Sequence, residues 1–390
     1  MPLTFDQKMC LHPKTIPNPN KGLNPNIGLN YLKDCTASYI TIPCHHCKEC
    51  YANMQMQIVQ RVQMECINQH CFFCTLTYNN EQIPQITLPN NKKPEKPYNI
   101  RYTDYADLNN MFKRLRKDNA FGREFRYFAV SELGSKRARP HAHILFFIPK
   151  EKTDTFGTLL NLEKKMFNAV LKEWRRNYGS KRVPDYQPLC TYIRRWTKRG
   201  LSTTYDLHWC NPATTEKGIA DVGFYVTKYM TKPSERAERL QQALHLNLEE
   251  EEYEKIWSKV KPKEFHSLGF GLNPKMNPKT HKIEEIDKDI LAYLKKCVSD
   301  SIKRGEEYPK YKNPHTGEYF PLARYYYQFG EIFDWKDATS LYFNSDKKSR
   351  SEQVQFDERD RRTLKTIDNN FEKHTQKLIE ANQTNFDEFF

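Results

Sequence analysis

No apolar run in the 390 residues approaches the length needed to cross a bilayer, which sets a helical membrane span aside. The opening MPLTFDQKMC lacks the basic stretch and apolar stretch of a secretion signal, so a cytoplasmic setting is expected by default. A disulfide framework is also missing: the 11 cysteines are odd in number and unevenly placed, a pattern that favours thiols or metal ligands. No internal repeat is evident. Only 38% of residues are hydrophobic and the mean hydropathy is -0.85, a polar, water-soluble composition, yet the length suffices for two or three domains with cores.

What is abundant is positive charge and aromatic rings. The formal net charge is +14, which favours a polyanionic partner, and 23 Phe with 23 Tyr offer surfaces on which bases can stack. Nucleic acid is the natural candidate, although solvated lysines alone also make a protein basic.

Residues 11–30 are rich in Pro, Asn and Gly and read as an extended loop. Tyr39 to Ile42 is strand-like and leads into CHHCKEC; Tyr51 to Gln69 then places Met54, Ile58, Val62 and Cys66 at helical spacing. Cys71 to Tyr78, Glu124 to Leu133 and His141 to Ile148 read as strands, the last two forming a hairpin through the basic loop GSKRARP. Helices are predicted over Tyr105 to Lys117, Phe156 to Asn177 and Glu216 to Lys232, with a further strand over Thr203 to Cys210. This order predicts an α+β fold: a central, mainly antiparallel sheet with helices packed on one face and the other face left for a ligand. The organisation expected is an N-terminal loop and cysteine cluster with its helix (1–69), a core (70–232), a mostly helical accessory region (233–344) with a loop-rich interlude, and a charged helix or tail (345–390).

Three constellations carry chemistry. In RPHAHILFFIP, His141 and His143 fall on the same face of a strand, where two imidazoles can share one ligand; strand-end histidines without a ligand are the plain alternative. In FYVTKYMTK, Tyr225 and Tyr229 lie about 40° apart on a helix, with Lys228 and Lys232 on the same side. An i, i+4 aromatic pair also serves as packing, but ammonium groups are rarely buried without partners, and a phenol near cations loses its proton more easily. In the third, Cys44, Cys47 and Cys50 have metal-compatible spacing, and Cys10 or His45 supplies a fourth ligand for a structural Zn2+; reduced thiols near DNA are the alternative.

Taken in order, the strand FFCTLTY, the His-hydrophobe-His strand and the helix YVTKYMTK resemble the HUH endonucleases, specifically the rolling-circle replication initiators of small single-stranded DNA phages, the microviruses of gokushovirus kind. Those proteins also carry CxxCxxC, and the resemblance spans Met9 to Lys232. It implies an HUH nuclease palm of ferredoxin or RRM type with a helical C-terminal extension. It further implies that His141 and His143 hold Mg2+ or Mn2+, and that Tyr225 or Tyr229 attacks a phosphodiester of single-stranded or supercoiled origin DNA. The products are a 5'-phosphotyrosine and a free 3'-OH; the second tyrosine serves termination, and Lys228 and Lys232 stabilise the negative charge. Host helicase and polymerase are the implied protein partners.

Glu132 in VSELG is the expected third metal ligand, provided that the hairpin register turns it to the histidine face; an ordinary charged strand end is the alternative. For DNA binding, Lys136, Arg137 and Arg139 in the hairpin loop and Arg194, Arg195, Lys198 and Arg199 in RRWTKR are basic, the latter group around an aromatic. Solvated loops are their alternative. Three rival functions are a relaxase or transposase of the same superfamily, a non-enzymatic zinc-containing DNA-binding protein, and a barrel metallohydrolase. The last requires repeated strand-helix units that the sequence lacks.

Overall fold

A computed structural model of the chain describes residues 10–23, 37–44, 47–89, 97–134, 139–190, 194–197, 200–203, 206–210, 240–245, 248–306, 308–312, 319–334, 336–338 and 340–341. The chain divides into two compact units, Met1–Ile67 with Gly271–Gln383, and Asn68–Phe270 with Thr384–Phe390.

The second unit is built on a 5-stranded sheet. In chain order the elements that carry the argument are β1 (Lys14–Pro17), β2 (Tyr39–Ile42), α1 (Lys48–Asn68), β3 (Gln69–Thr77), β4 (Gln85–Leu88), β5 (Tyr98–Arg101), α2 (Tyr105–Lys117), β6 (Arg126–Leu133), β7 (Pro140–Pro149), α3 (Phe156–Glu173), β8 (Arg175–Asn177), β9 (Tyr186–Pro188), β10 (Arg194–Thr197), β11 (Gly200–Thr203), β12 (Asp206–Trp209), α4 (Glu250–Val260) and β13 (Glu264–His266). The sheet order is β12-β3-β7-β6-β13, and every pairing is antiparallel. Its outermost strand β13 thus comes from beyond the stretch 70–232.

Period-2 alternation decides which face each side chain takes. Phe72, Cys74 and Leu76 of β3 and Ala142, Ile144, Phe146 and Ile148 of β7 are buried on one face. Against them pack Leu108, Met111, Phe112 and Leu115 of α2 and Leu159, Leu162, Met166 and Val170 of α3. The helices therefore cover one face, as the order of elements predicts. Asp104 caps α2 by accepting from Ala106 N, and the helix ends as a Schellman motif: Ala120 N donates to Leu115 O, Asn119 N to Arg116 O, with Asn119 at φ 42°. Thr155 and Thr158 cap α3 reciprocally.

Four local readings are corrected. Within 11–30, Lys14–Pro17 pairs with β2 as a short ribbon, whose end tolerates a proline. Helix α3 stops at Glu173 rather than Asn177, because Trp174 turns into the core and the next three residues pair with β9. Thr203 to Cys210 is not one strand: β11 ends at Thr203 and pairs with β10, whereas β12 starts at Asp206 and joins the large sheet. The interlude after 308 holds a small hairpin, Lys310–Lys312 with Tyr319–Pro321, and a 3-10 turn, Arg324–Gln328, held by buried Tyr311 and Tyr326. The predicted helix Glu216 to Lys232 and the tail from 345 lie outside the described residues.

In the first unit α1 is the spine. Three of its buried polar side chains reach across the unit: Gln60 donates to Pro321 O (2.6 Å) and accepts from Ala323 N (2.8 Å), Gln63 accepts from the Tyr311 hydroxyl, and Glu65 accepts from Gly271 N (2.7 Å). Gly271 has φ 90°, and a Cβ there would meet Arg61 at 2.9 Å, so this position requires glycine. Around this spine pack Leu272, Ile286 and, from the helix Lys288–Lys303, Ile290 and Leu294.

Candidate catalytic face and cysteine cluster

On the sheet face away from α2 and α3, the register sets the candidate ligands together. Glu132 lies opposite His141, Thr77 opposite His141, and Thr75 opposite His143. Directly paired residues share a face, so Glu132 stands on the histidine side. Its Oε1 is 3.2 Å from His143 Nε2, while His143 Nδ1 is hydrogen-bonded to Thr75 Oγ1 at 3.1 Å. Phe73 stacks on the His143 ring, with centroids 5.8 Å apart. When Nδ1–H donates to Thr75, Nε2 keeps the lone pair that a metal ligand needs.

His141 is held differently. Its Nδ1 is buried and has no hydrogen-bond partner. Burial lowers its pKa, an effect that Glu132 offsets and that His143 and Arg139 reinforce, which favours the neutral ring, the form that ligates metal. Gly134 makes the room: a Cβ at this position would sit 2.8 Å from His141 Nε2. The 3.2 Å between Glu132 and His143 matches the ~3.0 Å expected of neighbouring ligands on an octahedral ion with bonds of ~2.1 Å. The ring centroids of His141 and His143 are 6.5 Å apart, and among the described residues these three donors are not drawn into one closed cluster. Thr75 and Gly134 are the positions that reading the sequence alone did not single out; the glycine directly after VSEL was the available signal for one, and the strand alternation of FFCTLTY for the other.

The remaining expected residues divide. Tyr225, Tyr229, Lys228, Lys232, Lys136, Arg137, Lys198, Arg199 and His45 lie outside the described residues. Arg194 and Arg195 lie on β10, in the two-stranded ribbon with β11. Arg139 donates to Tyr78 O (2.6 and 3.2 Å) and to Asn80 Oδ1 (3.0 Å), bracing the exit of β3 beside the histidines.

In the first unit Cys10, Cys44, Cys47 and Cys50 are all buried, and their Sγ atoms all lie within 4.8 Å of one another. Cys10 thus takes the fourth place. Cys44 and Cys50 are 3.9 Å apart at sulfur, far beyond a disulfide bond and close to the ~3.8 Å edge of a tetrahedron with Zn–S bonds of ~2.3 Å. Backbone amides support the sulfurs: Cys44 N donates to Cys10 Sγ (3.2 Å) and Cys47 N to Cys44 Sγ (3.3 Å). Burial raises the Cys10 pKa, so a thiolate there needs a cation beside it. The cluster can hold a metal such as zinc.

No helix among the described residues is long and apolar enough to cross a membrane. No solved structure matches the chain. Among curated proteins, it is 31% identical to a replication-associated protein ORF2 of Spiroplasma virus 4 over 209 residues, covering 49% of this chain and 61% of the relative. It is 26% identical to a replication-associated protein ORF4 of Chlamydia phage 1 over 146 residues, covering 35% of this chain and 33% of the relative. The chain thus spans less than two thirds of the length of either relative. Residues 71–234, which include the histidine strand, match the family described as replication-associated protein ORF2/G2P, a likeness that fits a phage rolling-circle replication initiator.

Proposed function

We propose that the chain starts rolling-circle replication as a metal-dependent nickase and ligase acting on single-stranded origin DNA. The observation that carries this reading is the placement of Glu132, His141 and His143 together on the sheet face away from α2 and α3, within the segment that is similar to phage replication proteins. Glu132, His141 and His143 are the residues that would hold Mg2+ or Mn2+, which supplies Lewis-acid polarisation of the scissile phosphate. Thr75 orients the His143 ring through Nδ1, and Gly134 leaves the room that His141 occupies.

Tyr225 or Tyr229 attacks phosphorus in line: its oxygen forms the new ester, the bond from phosphorus to the 3' oxygen breaks, and the phenolic proton ends on the 3'-OH that leaves. Lys228 and Lys232, on the same helix face by spacing, lower the cost of the phenolate and of the charge at phosphorus. Because no water is consumed, the ester energy is kept. The second tyrosine cleaves the regenerated origin after one round, and the released 3'-OH attacks the first adduct and seals the circle.

Zn2+ bound by Cys10, Cys44, Cys47 and Cys50 acts structurally, since four sulfurs leave no open position for a substrate. Host polymerase and helicase, acting in the bacterial cytoplasm, extend the 3'-OH and separate the strands. The test incubates the chain with Mn2+ and labelled single-stranded origin DNA and resolves a covalent adduct on a denaturing gel. Adduct persisting in the double variant Tyr225→Phe, Tyr229→Phe, or formed fully in chelator, rules the mechanism out.

A further inference from the structure

The sheet end that carries the histidines has a second feature. Between α3 and β10 the chain forms the hairpin β8 and β9, with Arg175 opposite Pro188 and Asn177 opposite Tyr186. Its base is sewn to the exit of β3. Trp174 Nε1 donates to Thr77 O (3.0 Å), Leu189 N donates to Trp174 O (3.0 Å), and Asn79 N donates to Leu189 O (2.7 Å). Thr77 is the residue that pairs with His141, so the hairpin starts at the sheet end that carries the histidines, with Trp174 packed on the helix side.

Large apolar surface is exposed on it: Val183 is 75% exposed, Tyr178 52% and Tyr186 40%. The rings are nevertheless fixed. The Arg175 guanidinium lies 4.2 Å from the Tyr186 centroid, and that of Arg176 lies 5.8 Å from Tyr178. Those guanidinium groups are themselves anchored to buried carboxylates: Arg175 to Glu173 (3.0 Å) and Arg176 Nε to Asp107 Oδ1 (2.9 Å). The tip is ordered too. Asn177 Oδ1 accepts from Gly179 N (3.0 Å) and Asp185 N (2.8 Å), and Ser180 Oγ accepts from Val183 N (2.9 Å). Lys181 and Arg182 are exposed at this tip, and Asp185 is the single acid in residues 175–188.

Exposed aromatics held rigid on a basic hairpin are costly in water and serve one chemistry well. We infer that the β8–β9 hairpin is a single-stranded DNA platform, on which bases stack against Tyr178 and Tyr186 while Lys181 and Arg182 contact phosphates. Stacking is indifferent to base identity because every base has a π face. Lys181 and Arg182 add a salt-dependent term. The platform rests on the reading of this unit as a DNA-nicking core, and it adds a place where the strand beside the scissile phosphate is gripped.

The test measures fluorescence anisotropy of a labelled oligothymidylate, which carries no origin to nick, with the full chain and no added Mg2+ or Mn2+. The double variant Tyr178→Ala, Tyr186→Ala should bind at least about 30-fold more weakly, as loss of stacking on two rings predicts. Tyr178→Phe with Tyr186→Phe, which keeps both rings, should stay near the parent affinity. Lys181→Glu with Arg182→Glu should weaken binding and flatten its salt dependence, and this pair decides the matter if the alanine variant fails to fold. Parent-like affinity in a folded variant of either kind overturns the platform, as expected if the hairpin meets a protein instead. The nicking reading stands or falls separately: adduct formation with binding that the hairpin variants leave unchanged sinks only the platform, and hairpin-dependent binding without adduct sinks only the nickase.

Discussion

Glu132 Oε1 stands 3.2 Å from His143 Nε2, across the pairing of β6 with β7, while Thr75 holds the other nitrogen of the same ring. The acid is thereby tied to the ring edge that faces away from Thr75. Glu132→Gln preserves volume and removes the charge. Divalent-metal affinity should fall at least ~10-fold with little change in melting temperature, read by titrating Mn2+ against adduct yield and by calorimetry. Unchanged metal dependence would remove Glu132 from the site.

Gly134 gives a sharper probe because its side chain does no chemistry. Gly134→Ala places a methyl 2.8 Å from His141 Nε2, and the ring has to move. Adduct formation should drop by on the order of 100-fold, the cost expected of ~1 Å misplacement, while far-UV circular dichroism stays the same. A fully active alanine variant would show that His141 is free to shift without consequence.

The cysteine cluster predicts a bound metal that activity assays need not report. Purified chain should contain about one equivalent of zinc by elemental analysis, and Cys47→Ser should release it. A strong chelator should lower the melting temperature of the parent and leave the Cys47→Ser variant where it is. Zinc-free protein with parent stability would leave the cysteines as plain buried thiols.

Acid should act first at a buried ion pair below the sheet. Arg123 donates to both oxygens of Asp154 (2.6 and 3.0 Å), Glu151 N donates to Oδ2 (2.8 Å), and His70 Nε2 lies 3.0 Å away. The hydrogen bonds from Arg123 hold the Asp154 pKa well below the usual carboxylate range. A depressed pKa contributes stability that is complete above the unfolded value of ~3.9 and is lost as pH falls towards the folded one. His70 is also lowered, chiefly by burial, and works in the same direction, from about 6.5 downward. Asp154→Asn should therefore melt lower than the parent at pH 7, and the gap should begin to narrow below about pH 4 and close only in strong acid, near the folded pKa. A gap that persists in strong acid would show that Asp154 acts through packing instead.

How much of this was legible in the sequence depended on the kind of signal. Helix α2 is legible to the residue, because Leu108, Met111, Phe112 and Leu115 repeat at helical spacing. Strand β7 was found from HAHILFFI, and the alternation put both histidines on one face. The place of Glu132 was not legible, since register depends on where the hairpin turns, and only the pairing of Glu132 with His141 fixes it. Cys10 as the fourth sulfur was one of two options until the fold brought it beside Cys44 across 34 residues of sequence. The break of α3 at Glu173 escaped notice because its cause lies elsewhere: Thr77 O, Arg114 and Tyr186 reach the turn from distant parts of the chain.

The buried polar contacts of α1 set an order of assembly. Gln60 reaches a carbonyl 261 residues later, Gln63 a hydroxyl 248 residues later, and Glu65 an amide 206 residues later. During synthesis the stretch Asn68–Phe270 is therefore made, and can close its own sheet, before the helix meets any of these partners. The spine of the first unit must wait with its apolar side uncovered while an entire second unit folds downstream. Among the described residues, the ties open to residues 10–50 in that interval are the β1–β2 ribbon and the cysteine cluster, and a metal held by that cluster would bear on folding yield rather than on catalysis.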